Sequence, residues 1–105
     1  MESLNKKAWP FDIPPDAAVV TTKYVTHEGA PVLEVTHEYD EEEGAIWQFH
    51  CGNGDYHELV LQLVRLDEIL AMDRTLCELA HLPIGFSATR SHLGDNWMIA
   101  KIGNV

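Results

Sequence analysis

Positive charge is missing from a long central stretch of this chain: no lysine or arginine lies between Tyr24 and Val64. The same stretch carries Glu28, Glu34, Glu38, Asp40, Glu41, Glu42, Glu43, Asp55 and Glu58. Over all 105 residues, 17 aspartates and glutamates face seven lysines and arginines, a formal net charge of −10. A field of one sign repels phosphate backbones and anionic lipid headgroups, which disfavours nucleic-acid and membrane-surface binding. It attracts basic surfaces, so a basic protein is the class of partner it permits.

Long apolar runs are also missing. Nothing approaches the roughly 20 apolar residues that a membrane helix needs. Lys6 and Lys7 are followed by Trp9, Pro10, Asp12 and Pro14 rather than by an apolar segment. That order does not suit a secretory signal, and a cytoplasmic location is expected. Cysteine is scarce: Cys51 and Cys77 lie in different expected elements without CxxC spacing, a pattern of buried thiols rather than a disulfide. There is neither a P-loop nor a GxGxxG sequence, and Cys51-Gly52-Asn53-Gly54-Asp55 is too short and too acidic to cradle phosphate.

What is present is material for one core. An apolar fraction of 46% over 105 residues suits a single folded domain and is too little chain for two. Pro10, Pro14 and Pro15 make residues 1–15 an irregular N-terminal arm, in which Trp9, Phe11 and Ile13 alternate. Residues 16–105 form the domain. β-Branched residues from Ala18 to His27 predict a strand, and Glu28 to Pro31 a turn into a second strand over Val32 to Tyr39. Val25-Thr26-His27-Glu28 and Val35-Thr36-His37-Glu38 repeat one tetrapeptide, and so short a connection predicts an antiparallel hairpin.

Asp40 to Gly44 reads as an acidic turn and Ala45 to Cys51 as a third strand. Ala45, Trp47, Phe49 and Cys51 share one face of it, and Ile46, Gln48 and His50 the other. Leu59 to Val64 predicts a strand feeding a helix, whose apolar face runs through Leu66, Ile69 and Leu70 and continues in Leu76, Cys77, Leu79 and Ala80. Asp73 interrupts it, and Thr75-Leu76-Cys77-Glu78 has capping-box spacing for a second short helix. Phe86 to Arg90 and Trp97 to Lys101 predict further strands around a turn at Gly94 to Asn96. Strands followed by helix give an α+β class: an antiparallel sheet with one broken helix on one face.

Few residues carry candidate chemistry. His50, Cys51 and His57 are the best set for a metal- or thiol-dependent hydrolase. Yet adjacent residues on a strand point to opposite faces, so His50 and Cys51 do not readily share an ion. No lysine or arginine is near Cys51 to stabilise a thiolate. His27 and His37, paired across the expected hairpin, make only two ligands. Asp40 to Glu43 is a solvated run without the apolar surroundings that acid catalysis needs. No catalytic residue, metal or cofactor is expected. A binding role is, with Glu38, Asp40, Glu41, Glu42 and Glu43 as the anionic surface and Trp97 as an aromatic anchor for a protein partner. A homodimer formed through a sheet edge is the other binding mode.

Arg65-Leu66-Asp67-Glu68-Ile69-Leu70-Ala71-Met72-Asp73, Leu82-Pro83-Ile84-Gly85-Phe86, and Arg90 followed by Gly94-Asp95-Asn96-Trp97 resemble a small bacterial family, immunity protein thirty-three of the polymorphic toxin systems. Val19-Val20-Thr21-Thr22-Lys23-Tyr24-Val25 and Ile46-Trp47-Gln48-Phe49 resemble it too. Phe86 departs from it, standing where tryptophan is expected. The resemblance implies a non-enzymatic domain that neutralises a toxin by binding it. The acidic stretch suits such a role against a basic toxin.

Overall fold

A computed structural model of the chain describes residues 9–103. Residues 1–8 of the expected arm lie outside the described residues. Six strands form one sheet: β1 (Ala18–Thr22), β2 (Glu34–Asp40), β3 (Gly44–His50), β4 (Leu61–Arg65), β5 (Phe86–Thr89) and β6 (Met98–Lys101), in the spatial order β4-β1-β3-β2-β5-β6. Helical segments are short: Lys23–Thr26, the α-helix Leu66–Met72 and the 3₁₀ helix Arg74–Leu79. The fold is α+β, with a mixed sheet. All neighbouring strands run antiparallel except β1 and β3, which are parallel with Val20 opposite Gln48.

The hairpin expected from the repeated tetrapeptide does not form. β1 stops at Thr22 because both of its neighbours run out there. Leu61, the partner of Thr22, is the first residue of β4, and β3 ends at His50. A longer β1 would expose unpaired backbone, and the chain coils instead into the helical turn Lys23–Thr26. The Lys23 N–H donates to the Val60 carbonyl at 2.9 Å, and the turn buries Val25 in the core. Val25-Thr26-His27-Glu28 is therefore turn and loop, while Val35-Thr36-His37-Glu38 is strand. His27 and His37 do not face each other across a ladder.

The hairpin that does form is β2–β3, in register from Glu34 opposite His50 to Asp40 opposite Gly44. Its inward residues Val35, Trp47 and Phe49 meet Val19 of β1, Ala88 of β5 and the helical residues Leu66, Ile69, Leu70, Leu76 and Leu79. Each valine, leucine, isoleucine or phenylalanine among these, once buried, contributes roughly 1.5–3 kcal/mol. Only one face of the sheet is covered in this way. The arm closes the core from the same side: Phe11 is buried, Trp9 and Ile13 pack beside it, and the Trp9 indole donates to the Ile13 carbonyl at 2.8 Å. The carbonyls of Ala17 and Pro15 accept the first helical N–H groups, those of Leu66 and Asp67, at 2.9 Å each.

The helix breaks at Asp73, as the interrupted apolar stripe indicates. The cap is Asp73 itself rather than Thr75: its carboxylate accepts from the Thr75 N–H at 2.9 Å and the Thr75 hydroxyl at 2.6 Å. Capping-box spacing from Thr75 misplaces the start because an aspartate two residues earlier takes those donors first.

Candidate functional site

The strand alternation that buries Val35, Trp47 and Phe49 turns the intervening residues outward. On β2 these are Glu34, Thr36 and Glu38; on β3, Ile46, Gln48 and His50; on β5, Ser87. Ladder register sets Thr36 between Gln48 on one side and Ser87 on the other, with Glu34 opposite His50. No helix covers this face within the described residues. Leu63 of β4 and Met98 of β6, outward on opposite edges of the sheet, are 71% and 72% exposed.

Between those edges lies a trough of about 400 Å³, lined by the outward polar residues and roofed at one end by Tyr56. The loop that follows β3 turns at Gly52 and Gly54, both at positive φ, and brings the Tyr56 ring back over His50 with centroids 4.1 Å apart. The Tyr56 hydroxyl donates to Glu34. Burial and this carboxylate together push the phenol above its ordinary range. His50 is 2% exposed, and burial pushes its imidazole below the ordinary 6.5 although Glu34 pulls it the other way.

A hydrogen-bond chain fixes proton positions along the floor. The Gln48 amide nitrogen donates to Glu38 at 3.4 Å, which leaves its oxygen to accept from His50 Nε2 at 2.8 Å. The His50 proton therefore sits on Nε2, and Nδ1 carries a lone pair. That nitrogen is buried without a hydrogen-bond partner among the described residues. Acceptors thus dominate the lining: two carboxylates, an imidazole lone pair and the hydroxyls of Thr36 and Ser87.

The residues expected to form an anionic surface fall into two groups. Glu38 lines the trough, while Asp40, Glu41, Glu42 and Glu43 are exposed at the turn that ends the same hairpin. Asp40 shapes that turn by accepting from the Glu43 and Glu42 amides at 3.0 and 2.7 Å. Those bonds hold its carboxyl below the usual carboxylate value. Trp97 is not beside them. It precedes β6 at the end of the sheet where β2 begins, roughly 20 Å from the acidic turn at about 3.3 Å per strand residue. There it is half-buried, packed on the core, with the Arg90 guanidinium 4.1 Å from its ring centre. Its indole N–H is buried without a partner among the described residues.

His50, Cys51 and His57 do not converge. His50 lies beneath Tyr56, whereas His57 is exposed and paired with Asp55 at 3.3 Å. No group of three or more histidine, cysteine, aspartate or glutamate side chains among the described residues is arranged to hold a metal ion.

Sequence reading passed over Glu34, Thr36, Gln48, Tyr56 and Ser87 as site residues. The signal for the first three was available in the alternation Glu34-x-Thr36-x-Glu38 beside Gln48-x-His50. Tyr56 and Ser87 arrive from a loop and a distant strand, and nothing local announces them. Compared with protein-family models, curated proteins and solved structures, the chain matches none.

Proposed function

We propose that this chain is a non-enzymatic binding domain that docks a basic protein on the open face of its sheet, and that it neutralises a toxin by covering it. One observation carries the reading. A six-stranded sheet is packed on one side only, and its other side combines exposed apolar edges with a carboxylate-lined trough. Leu63 and Met98 offer apolar contacts at the two edges of that face, with the polar trough between them. Charge selects the kind of partner: Glu34 and Glu38 on the face and Asp40 to Glu43 at its end attract a cationic surface and steer its approach. The resemblance to the immunity protein thirty-three family supplies the toxin as the class of partner.

The test is capture from the native host followed by association kinetics. A captured basic protein is expected to lose binding to the Leu63→Glu and Glu38→Lys variants. Charge reversal at Glu41, Glu42 and Glu43 is expected to slow association about tenfold at low salt while leaving dissociation nearly unchanged. A partner indifferent to both sets of variants would sink the proposal.

A further inference from the structure

Edge strands are usually guarded by charge, proline or a bulge, which stop another strand from adding to them. From Leu59 to Val64 the edge at β4 has none of these. It holds no charged residue and no proline, and its ladder with β1 runs unbroken from Ala18 opposite Arg65 to Thr22 opposite Leu61. Leu59, Leu61 and Leu63 are 75%, 37% and 71% exposed. The other edge, β6, carries Lys101. We propose that β4 is a homodimer contact, where a second copy of this chain pairs antiparallel about a two-fold axis at Gln62. This goes beyond the docking reading and leaves the trough open, two strands away.

The hydrogen bonds that continue the β1–β4 ladder show which backbone groups are free. The Leu66 N–H donates to the Ala17 carbonyl and the Lys23 N–H to the Val60 carbonyl, at 2.9 Å each. Antiparallel bonds fall on alternate residues, so Val60, Gln62, Val64 and Leu66 face β1. Leu61, Leu63 and Arg65 turn their N–H and carbonyl groups to the open edge. Beyond Leu61 and Leu63 the donors are already used. The Arg65 N–H donates to Glu68 at 3.2 Å and the Leu59 N–H to His57 Nδ1 at 3.3 Å. The free donors are those of Leu61 and Leu63, placed symmetrically about Gln62.

That symmetry selects a second copy as the occupant and fixes its register. With Gln62 opposite Gln62, each Leu61 faces Leu63 of the other copy, and two such pairs exchange four backbone hydrogen bonds. Sliding the strands by two residues either way sets Leu61 against Arg65 or Leu63 against Leu59, whose N–H groups are spent. In the matched register four leucines gather on the open face, and Val60 meets Val64 on the other. Charge agrees at both ends. Arg65 comes opposite Leu59 of the second copy, one residue from its Glu58, and the axis repeats this pairing. The contact is one strand wide, which places the dimer among small, weak interfaces.

Sedimentation equilibrium of the full chain tests this from about 10 μM to about 1 mM, a range suited to a weak interface. The average mass is expected to rise with concentration toward two chains, and a single-chain mass throughout overturns the proposal. Leu63→Lys should weaken association at least tenfold. Leu61→Pro should do the same while staying folded by circular dichroism, because the N–H it removes makes no bond to β1. Ile99→Lys, on the β6 edge, should change association less than twofold; loss through Ile99→Lys with Leu63→Lys unaffected moves the contact to β6 and overturns the assignment. Gln62→Cys reads the register. Its two sulfurs meet on the axis, where the Cα atoms of a non-hydrogen-bonded pair lie about 4.5 Å apart, and mild oxidation should link the chains. Leu63→Cys should not link, since its two copies are offset by two residues along the strands. Linkage at Leu63→Cys without linkage at Gln62→Cys sinks the two-fold register. Capture of a basic protein is a separate readout: a dimer that captures none leaves this inference standing, and a single chain that captures one leaves only the docking reading.

Discussion

Arg90 is the most heavily engaged side chain among the described residues. Its guanidinium meets the Asp73 carboxylate at 2.6 Å and the Thr75 hydroxyl at 3.0 Å, and donates twice to the Val32 carbonyl, at 3.0 and 3.3 Å. It thereby joins the end of β5 to the helix break and to the loop before β2. Asp73 is ionised there: burial opposes its charge, but the bonds from Thr75 and Arg90 together outweigh burial and hold its carboxyl below 3.8. Arg90→Met leaves a mostly buried carboxylate unpaired and is expected to cost roughly 3–5 kcal/mol in urea unfolding. Adding Asp73→Asn to that variant should recover part of the loss, because the orphaned charge goes with it. His50 gives a pH dependence. Its folded-state pKa lies below 6.5, so the unfolded chain takes up a proton first as pH falls. Its stabilising contribution is whole above about pH 6.5 and is lost as pH drops through the lower folded value. His50→Phe retains a ring under Tyr56 without the titration. Unfolding free energies measured between about pH 7 and pH 5 should therefore fall less steeply in that variant than in the parent chain.

Among the elements, the β2–β3 hairpin is the most self-contained, and its turn depends on one glycine. Gly44 sits at φ +82°, with nothing within 4 Å of where a Cβ would be. Backbone conformation alone then sets the cost of Gly44→Ala, expected at about 1–2 kcal/mol in urea unfolding. Gly44→Asn should cost less, since asparagine tolerates the left-handed region. This hairpin was legible in the sequence because all its signals are local: an acidic turn, a glycine and aromatic alternation over Trp47 and Phe49. So were the strand entering the helix at Leu66, the break at Asp73 and the last two strands. β1 was misjudged for a physical reason. Its β-branched run through Val25 and Thr26 has strand propensity, but the end of a strand is set by where its neighbours end. Those neighbours are β3 and β4, whose positions beside β1 no local pattern reveals. The parallel pairing of β1 with β3 was hidden for the same reason. In the candidate site, Glu38 was legible as part of a charge run. The Arg90–Asp73 pair was not, because the two residues come together only after β5 has docked against β2.

At the scale of the whole molecule, acidity works against compactness. A net charge of −10 on 105 residues repels itself at low ionic strength. Raising salt from about 10 mM to about 150 mM shortens the screening length from about 30 Å to about 8 Å. The midpoint of thermal unfolding is expected to rise across that range. A fall would mean that favourable ion pairs outweigh the repulsion. Among the described residues only Arg65 with Asp67 and Arg90 with Asp73 pair arginine with a carboxylate, too few to reverse the trend. The parallel pairing of β1 with β3, the only one among the described strands, has a kinetic consequence. β1 is made early in synthesis but sits between β3 and β4, and its last ladder partner arrives only when Arg65 has been added. Until then the flank of this β-branched segment that β4 covers stays open in a growing chain, and assembly must wait for long-range loop closure. Folding should therefore be paced by the insertion of β1 into a gap between later strands, and aggregation during synthesis should begin at Ala18–Thr22.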